Sequence, residues 1–165
     1  MKQVVIIVLL FALIFGVACQ PSDPGSDPDQ TEELIEDLEQ ALTEIVDEAG
    51  MHELLESGML EEIKSGEAGY LIGAESLDGL YAEAYSLQPM INVHPFAMGL
   101  FRLEPGQDPA LFAGELKEKA DLRKWICVAA DTFHVATRGQ FVLFVMGSTD
   151  EVNAIAQAAA FTPVS

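Results

Sequence analysis

Hydrophobic positions along this chain change period several times, and each change marks an element. Residues 4–17 carry no polar side chain at all. Over residues 31–49 the spacing is helical: Leu34, Leu38, Ala41, Leu42, Ile45 and Ala49 share one stripe, widened by Ile35 and Val46. Asp29 with Glu32 suits the start of this helix and Gly50 its stop. Residues 51–64 read as a second short helix broken near Gly58, and residues 76–81 as one further turn. The period then falls to two. Residues 81–89 alternate as a strand ending at Pro89, and residues 96–103 form a second strand closed by Glu104-Pro105-Gly106. Asp108-Pro109 sets an N-cap and N1 for a helix running to about Trp125, with Phe112, Leu116 and Ala120 inward. Residues 132–137 and 140–146 are strands three and four, joined at Arg138-Gly139, where glycine supplies positive φ. The run from Phe141 to Met146 is apolar on both faces, as a covered central strand requires. Ser148 and Glu151 form a capping box for a last helix with Val152, Ile155, Ala156 and Ala159 on its stripe.

The expected order is two helices, then ββαββα. That is an α+β domain with an antiparallel or mixed four-stranded sheet and helices on its faces. The chain divides into residues 1–18, residues 19–30 and one domain over 31–165, helical over 31–64.

The first 30 residues carry an address. Lys2 precedes an apolar run of 14 residues, which as a helix spans about 21 Å. A bilayer core needs about 20 apolar residues, so this run suits a signal h-region rather than a membrane span. Gly16-Val17-Ala18 then leads into Cys19. The arrangement resembles a bacterial lipoprotein signal, in which the cysteine is lipidated and becomes the first mature residue. Gly16 stands where that pattern most often has Leu. Cleavage after Ala18 with ordinary secretion is the alternative. The resemblance implies a diacylglyceryl thioether on Cys19, and two acyl chains meet the physical condition for stable anchoring. Residues 20–30, QPSDPGSDPDQ, deny themselves a core and reach at most about 36 Å, which suits a tether.

Charge narrows the partners. The chain has 27 acidic residues against 8 Lys and Arg, a formal net charge of −19. Residues 20–67 alone hold 16 acids and one base. Nucleic acid is excluded, because phosphate binding needs clustered Lys and Arg. An electrostatic hold on anionic lipid is excluded on the same ground, which leaves lipid on Cys19 as the membrane contact. A cationic partner or divalent ions would be attracted.

Residues 70–161 carry a family resemblance. It rests on Tyr70-Leu71-Ile72, on Pro89-Met90-Ile91-Asn92-Val93-His94, on the strand from Phe96 to Leu103, and on Gly139-Gln140-Phe141-Val142-Leu143-Phe144-Val145. These resemble the domain-of-unknown-function 4358 family, found in lipoproteins of Gram-positive anaerobes. The signal, acidic leader and element order agree with it. Pro95-Phe96-Ala97 departs from the acidic residues such proteins often carry there. The resemblance implies placement and fold but brings no active site.

No catalytic constellation stands out. His52, His94 and His134 are not at metal-ligand spacing, and no CxxC is present. His52 and Glu53 are adjacent, and adjacent helical side chains point about 100° apart. Cys127 sits in the apolar stretch Trp125-Ile126-Cys127-Val128 and reads as a buried, inert thiol. With Cys19 lipidated, it has no disulfide partner within the chain. Neither a nucleophile elbow nor a phosphate loop is present. No cofactor and no metal are expected. The segment around Pro89, Met90, Asn92 and His94 is an apolar loop suited to a partner or ligand surface. The expectation is therefore a lipid-anchored, extracytoplasmic module, non-enzymatic, that binds an envelope protein, peptide or small ligand. A cell-envelope enzyme with a site near His94 is the alternative. An accessory subunit using the helix at 31–49 as its contact is a third reading.

Overall fold

A seven-residue strand buried along its whole length sits at the centre of the domain. In a computed structural model that describes residues 35–91 and 93–164, Phe141–Gly147 is entirely buried between two sheet neighbours. The elements in chain order are α1 (Leu38–Glu48), α2 (His52–Ser57), β1 (Gly58–Glu62), α3 (Ala68–Ile72), β2 (Tyr81–Pro89) and β3 (Ala97–Leu103). They continue with α4 (Pro109–Lys119), β4 (Thr132–Arg138), β5 (Phe141–Gly147), α5 (Thr149–Ala159) and β6 (Thr162–Pro163). The protein is α+β, and its sheet is antiparallel at every pairing, in the order β1-β2-β3-β5-β4-β6.

Strand alternation divides the core into two clusters. Phe141, Leu143 and Val145 of β5 face one side, with Met98 and Leu100 of β3. There they meet Leu38, Leu42 and Val46 of α1 and Val152 and Ile155 of α5. Val142, Phe144 and Met146 face the other side, with Phe101 and Leu103. That side is covered by Leu71 and Ile72 of α3 and by Phe112 and Leu116 of α4. Each such side chain contributes about 1.5–3 kcal/mol on burial.

The predicted stripe of α1 is thus packed into the first cluster, Ile35, Ala41 and Ala49 included. This overturns α1 as a free contact face and with it the accessory reading built on that helix. Among the described residues the helix starts at Leu38, and residues 35–37 before it are not helical, because Asp37 accepts a bond from Gln40 N at 2.9 Å and caps there. Arg102 reaches from β3 to the Ile35 and Glu36 carbonyls at 2.8 and 3.0 Å and holds the chain just before that cap. Asp29, Glu32 and Leu34, like the apolar run, Cys19 and the tether, lie outside the described residues.

Four strands were expected and six are present among the described residues. The four central strands, the hairpin turn with Gly139 at φ 55° and the capping box of α5 agree with the sequence reading. The expected helix over residues 51–64 does not: it is α2 followed by β1. Leu54, Leu55, Met59, Leu60 and Ile63 fit a helical period, but pairing of β1 with β2, Leu60 opposite Leu87, overrides it. Gly58 makes the junction, since a Cβ there would meet Leu54 O at 2.5 Å and Leu87 Cδ1 at 2.9 Å. The expected turn at residues 76–81 is also displaced. The helix lies earlier, as α3, and ends at Gly73 with φ 83°. Residues 76–80 are irregular, and their Asp78 and Gly79 amides bond to Glu115 of α4 at 2.6 and 3.1 Å. Finally, α4 stops at Lys119 rather than near Trp125, where Ala120 turns extended. The remaining strand, β6, is a two-residue edge beside β4.

Gly99 of β3 lies under α3: a Cβ there would meet Leu71 Cδ2 at 2.4 Å and Phe101 Cε2 at 3.0 Å. Gly99→Ala is expected to lower unfolding free energy by about 1–3 kcal/mol through overpacking, read as a shifted urea midpoint with an unchanged m-value.

Candidate functional site

The chain between β2 and β3 exposes a run of apolar side chains. Met90, Ile91 and Val93 are 67%, 68% and 71% exposed. Phe96, at the end of the loop, is fully buried and anchors it. Bonds from Val93 N to Ile91 O and from Phe96 N to His94 O, at 2.8 and 2.9 Å, turn the chain locally. Of the four residues singled out from sequence, Met90 is on the surface and Pro89 is half-buried. Asn92 lies outside the described residues.

His94 serves another task. Its Nε2 lies 2.5 Å from Glu151 Oε1. The other Glu151 oxygen, Oε2, accepts from Ser148 N at 2.9 Å and Ser148 Oγ at 2.6 Å, completing the capping box of α5. Burial raises the Glu151 carboxyl pKa, but the Ser148 and His94 bonds outweigh it and hold the group below its usual value. The order is His–Glu–Ser, with the carboxylate in the middle. A nucleophile activated by an imidazole would need the His in the middle. This cluster latches the loop to the N-terminus of α5.

Next to the loop a groove of about 620 Å³ opens between β1 and α3. Pro89 and Met90 are among its lining residues. Met59 and Ile63 line it from the β1 side and Tyr70 and Leu71 from α3. Tyr70, Ala74 and Gln88 are shared with a second cavity of about 640 Å³, lined further by Lys124, Trp125, Ile126 and Cys127. Tyr70 is 77% exposed and Ile126 fully exposed, so both continue the apolar surface begun by Met90.

Lys124 stands between the two cavities. Its Nζ donates to Leu71 O at 2.6 Å, Gln88 Oε1 at 3.0 Å and Tyr70 O at 3.2 Å. Those two carbonyls belong to the last turn of α3, so the ammonium caps that helix. It also lies 4.9 Å from the Trp125 ring centroid and 5.4 Å from that of Tyr70. No carboxylate pairs with it among the described residues, and burial pushes its amine down to about 8. No motif in the sequence marks Lys124 or Tyr70, because they meet through contacts 53 and 54 residues apart.

Other sequence candidates separate. Cys127, expected to be buried, is exposed. The apolar stretch after α4 is irregular, and Trp125 takes the buried position while Ile126 and Cys127 face outward. His52 bonds to exposed Asp47 at 2.9 Å. His134 is half-buried on β4, with a pKa lowered by that burial. Among the described residues no three His, Cys, Asp or Glu side chains are grouped as for a metal ion, and no helix is long and apolar enough to cross a membrane. The chain matches no family model, no curated protein and no solved structure.

Two titrations follow. Lys124 in the unfolded chain keeps its proton up to about pH 10.5, whereas in the folded chain it loses it near 8. Stability therefore rises as pH goes from 8 toward 10, where the unfolded state binds more protons. Lys124→Met is expected to flatten that rise in urea unfolding across the same range. Glu151 behaves oppositely. Its folded pKa lies below 4.5, so its stabilisation is present above pH 4.5 and is lost as pH falls through the folded value. Glu151→Gln is expected to cost about 1 kcal/mol at pH 7 and to shrink the acid-side loss of stability.

Proposed function

We propose that this chain is a lipid-anchored extracytoplasmic protein of the domain-of-unknown-function 4358 family, a non-enzymatic module that binds a protein or peptide partner at the cell envelope. One observation supports binding above all. Met90, Tyr70 and Ile126 expose large apolar side chains on the linings of two open, adjoining cavities, and Ile91 and Val93 expose theirs on the loop that continues from Met90. Single exposed hydrophobics need no explanation, but several along a groove and the loop beside it mark a surface that a partner covers. The loop is also held in shape by Phe96 and the His94–Glu151 latch, so docking requires little ordering.

The anchor rests on Cys19 after a short apolar run and small residues, followed by a tether of up to about 36 Å. Such a spacer carries the domain beyond the headgroups, where an acidic module without lipid-binding charge needs to be to meet a partner. The enzyme reading near His94 receives less support, because His94 and Glu151 are engaged in holding the loop and capping α5.

The test has two arms. Mass spectrometry of the native N-terminus is expected to show a diacylglyceryl mass on Cys19, lost in Cys19→Ala; an unmodified N-terminus overturns the anchor. Affinity capture from intact membranes is expected to recover a partner above a tether-only control, and Met90→Asp with Ile91→Asp to reduce that recovery at least about tenfold. Recovery equal to the control in the unaltered protein overturns the binding reading.

A further inference from the structure

The groove between α3 and β1 borders an open sheet edge. β1 pairs only with β2, and its other side carries no strand among the described residues. The bond from Ile63 N to Ala84 O at 2.8 Å fixes the hydrogen-bonding phase. Opposite pairs alternate between bonded and non-bonded in an antiparallel ladder. Residues 63, 61 and 59 therefore turn their main-chain groups toward β2. Leu60 and Glu62 turn theirs outward, each presenting one donor and one acceptor. No backbone bond among the described residues outside the ladder takes them up. Over its five residues β1 offers about 17 Å of edge.

Charge defines what fits there. Glu61, Glu62, Glu67 and Glu75 line this groove, and no Lys or Arg does. None of the four belongs to an ion pair among the described residues. Lys124 is turned into the wall and engaged by Tyr70, Leu71 and Gln88, and exposed Lys64, next to Ile63 in the chain, is not among the lining residues. Between the carboxylates run Met59, Ile63, Tyr70 and Met90. A second copy of the chain would bring its own Glu61 and Glu62 to the same edge, and like charges facing one another across strands are destabilising.

We propose that this groove takes a cationic peptide segment in extended conformation, added as a strand on the free edge of β1. The main chain of the segment bonds to the outward groups of Leu60 and Glu62. On the groove side its apolar side chains lie on Met59, Ile63, Tyr70 and Met90 and its Lys or Arg side chains meet Glu61, Glu67 and Glu75, while a cation on its other face meets Glu62. Main-chain bonds supply affinity in this mode and alternate side-chain contacts supply selectivity. The proposal deepens the binding reading above and rests on it, naming the chemistry of the partner.

The experiment uses the full-length protein in detergent and a fluorescent octapeptide of the repeat Val-Val-Lys-Lys, which presents both residue types on each face of a strand, with binding read by anisotropy. The Val–Lys peptide is expected to bind, more weakly at high salt, and its Val–Glu counterpart not to bind. Two variants separate edge from charge. Glu62→Gln and Glu62→Pro remove the same charge, but proline also removes the outward N–H, a substitution an edge strand tolerates. Glu62→Pro is expected to bind about fivefold to tenfold more weakly than Glu62→Gln. Amide chemical-shift mapping on the unaltered protein, expected to centre on residues 58–63 and 66–75, decides the matter if the proline variant fails to fold. Equal binding by the two Glu62 variants overturns strand addition. Equal binding of the Val–Glu peptide overturns the charge argument, and no binding of Val–Lys overturns the site. A failure of the site here, with capture from membranes still sensitive to Met90 and Ile91, leaves the wider binding reading standing; failure of both arms removes the two together.

Discussion

The burial of β5 on both faces governs everything else in this domain. Seven consecutive buried residues have no solvated side, so the sheet must be covered twice. One cover is α1 with α5, and the other is α3 with α4. That demand takes the amphipathic stripe of α1 out of contention as a docking face. It also leaves the sheet two edges. The one at β6 is two residues long and carries Pro163, so it offers little pairing. The edge at β1 is longer, and α3 stands beside it on the same face, which turns an edge into a groove.

How α3 stays there is a question of polar satisfaction. A helix of five residues cannot sustain itself by propensity. Leu71 and Ile72 seat it on the sheet through the close approach that Gly99 allows. Lys124 then takes up the Tyr70 and Leu71 carbonyls at its C-terminal end. The cost of drawing an ammonium into that wall shows in its lowered pKa. The return is a helix end with bonded carbonyls and an exposed Tyr70 ring fixed at the mouth of both cavities. At the other end of the surface His94 and Glu151 do the equivalent work for the loop at residues 89–96.

Legibility in the sequence followed the range of the controlling contact. Strands β2 to β5, α4 and α5 were readable because alternation, Asp108-Pro109, Arg138-Gly139 and the Ser148–Glu151 box act within a few residues. β1 and α3 were not readable. The apolar spacing around Gly58 suits a helix until β2 pairs with it, and α3 is shorter than one amphipathic repeat. Cys127 misled for a related reason. An apolar stretch implies burial only when a regular element fixes which side faces inward, and after Lys119 there is none until β4. Of the candidate site, the apolar loop at Pro89 and Met90 was readable. The contribution of Tyr70, Lys124 and the β1 edge was not, since it depends on pairings tens of residues apart.

The acidity of the β1 edge then acquires two consequences from one set of residues. Bare strand edges invite pairing between identical chains, and charged residues on the edge oppose it. Glu61 and Glu62 give every copy the same charge there, so self-pairing is penalised wherever copies concentrate. On the proposed anchor they would concentrate, because a lipid confines the chain to a surface and raises the local density of its neighbours. A cationic segment meets the opposite condition at the same edge, since each glutamate that repels a second copy attracts it. A neutral edge would accept both. Selectivity between a partner and a copy of the chain thus needs no further device than the sign of the charge beside an open strand.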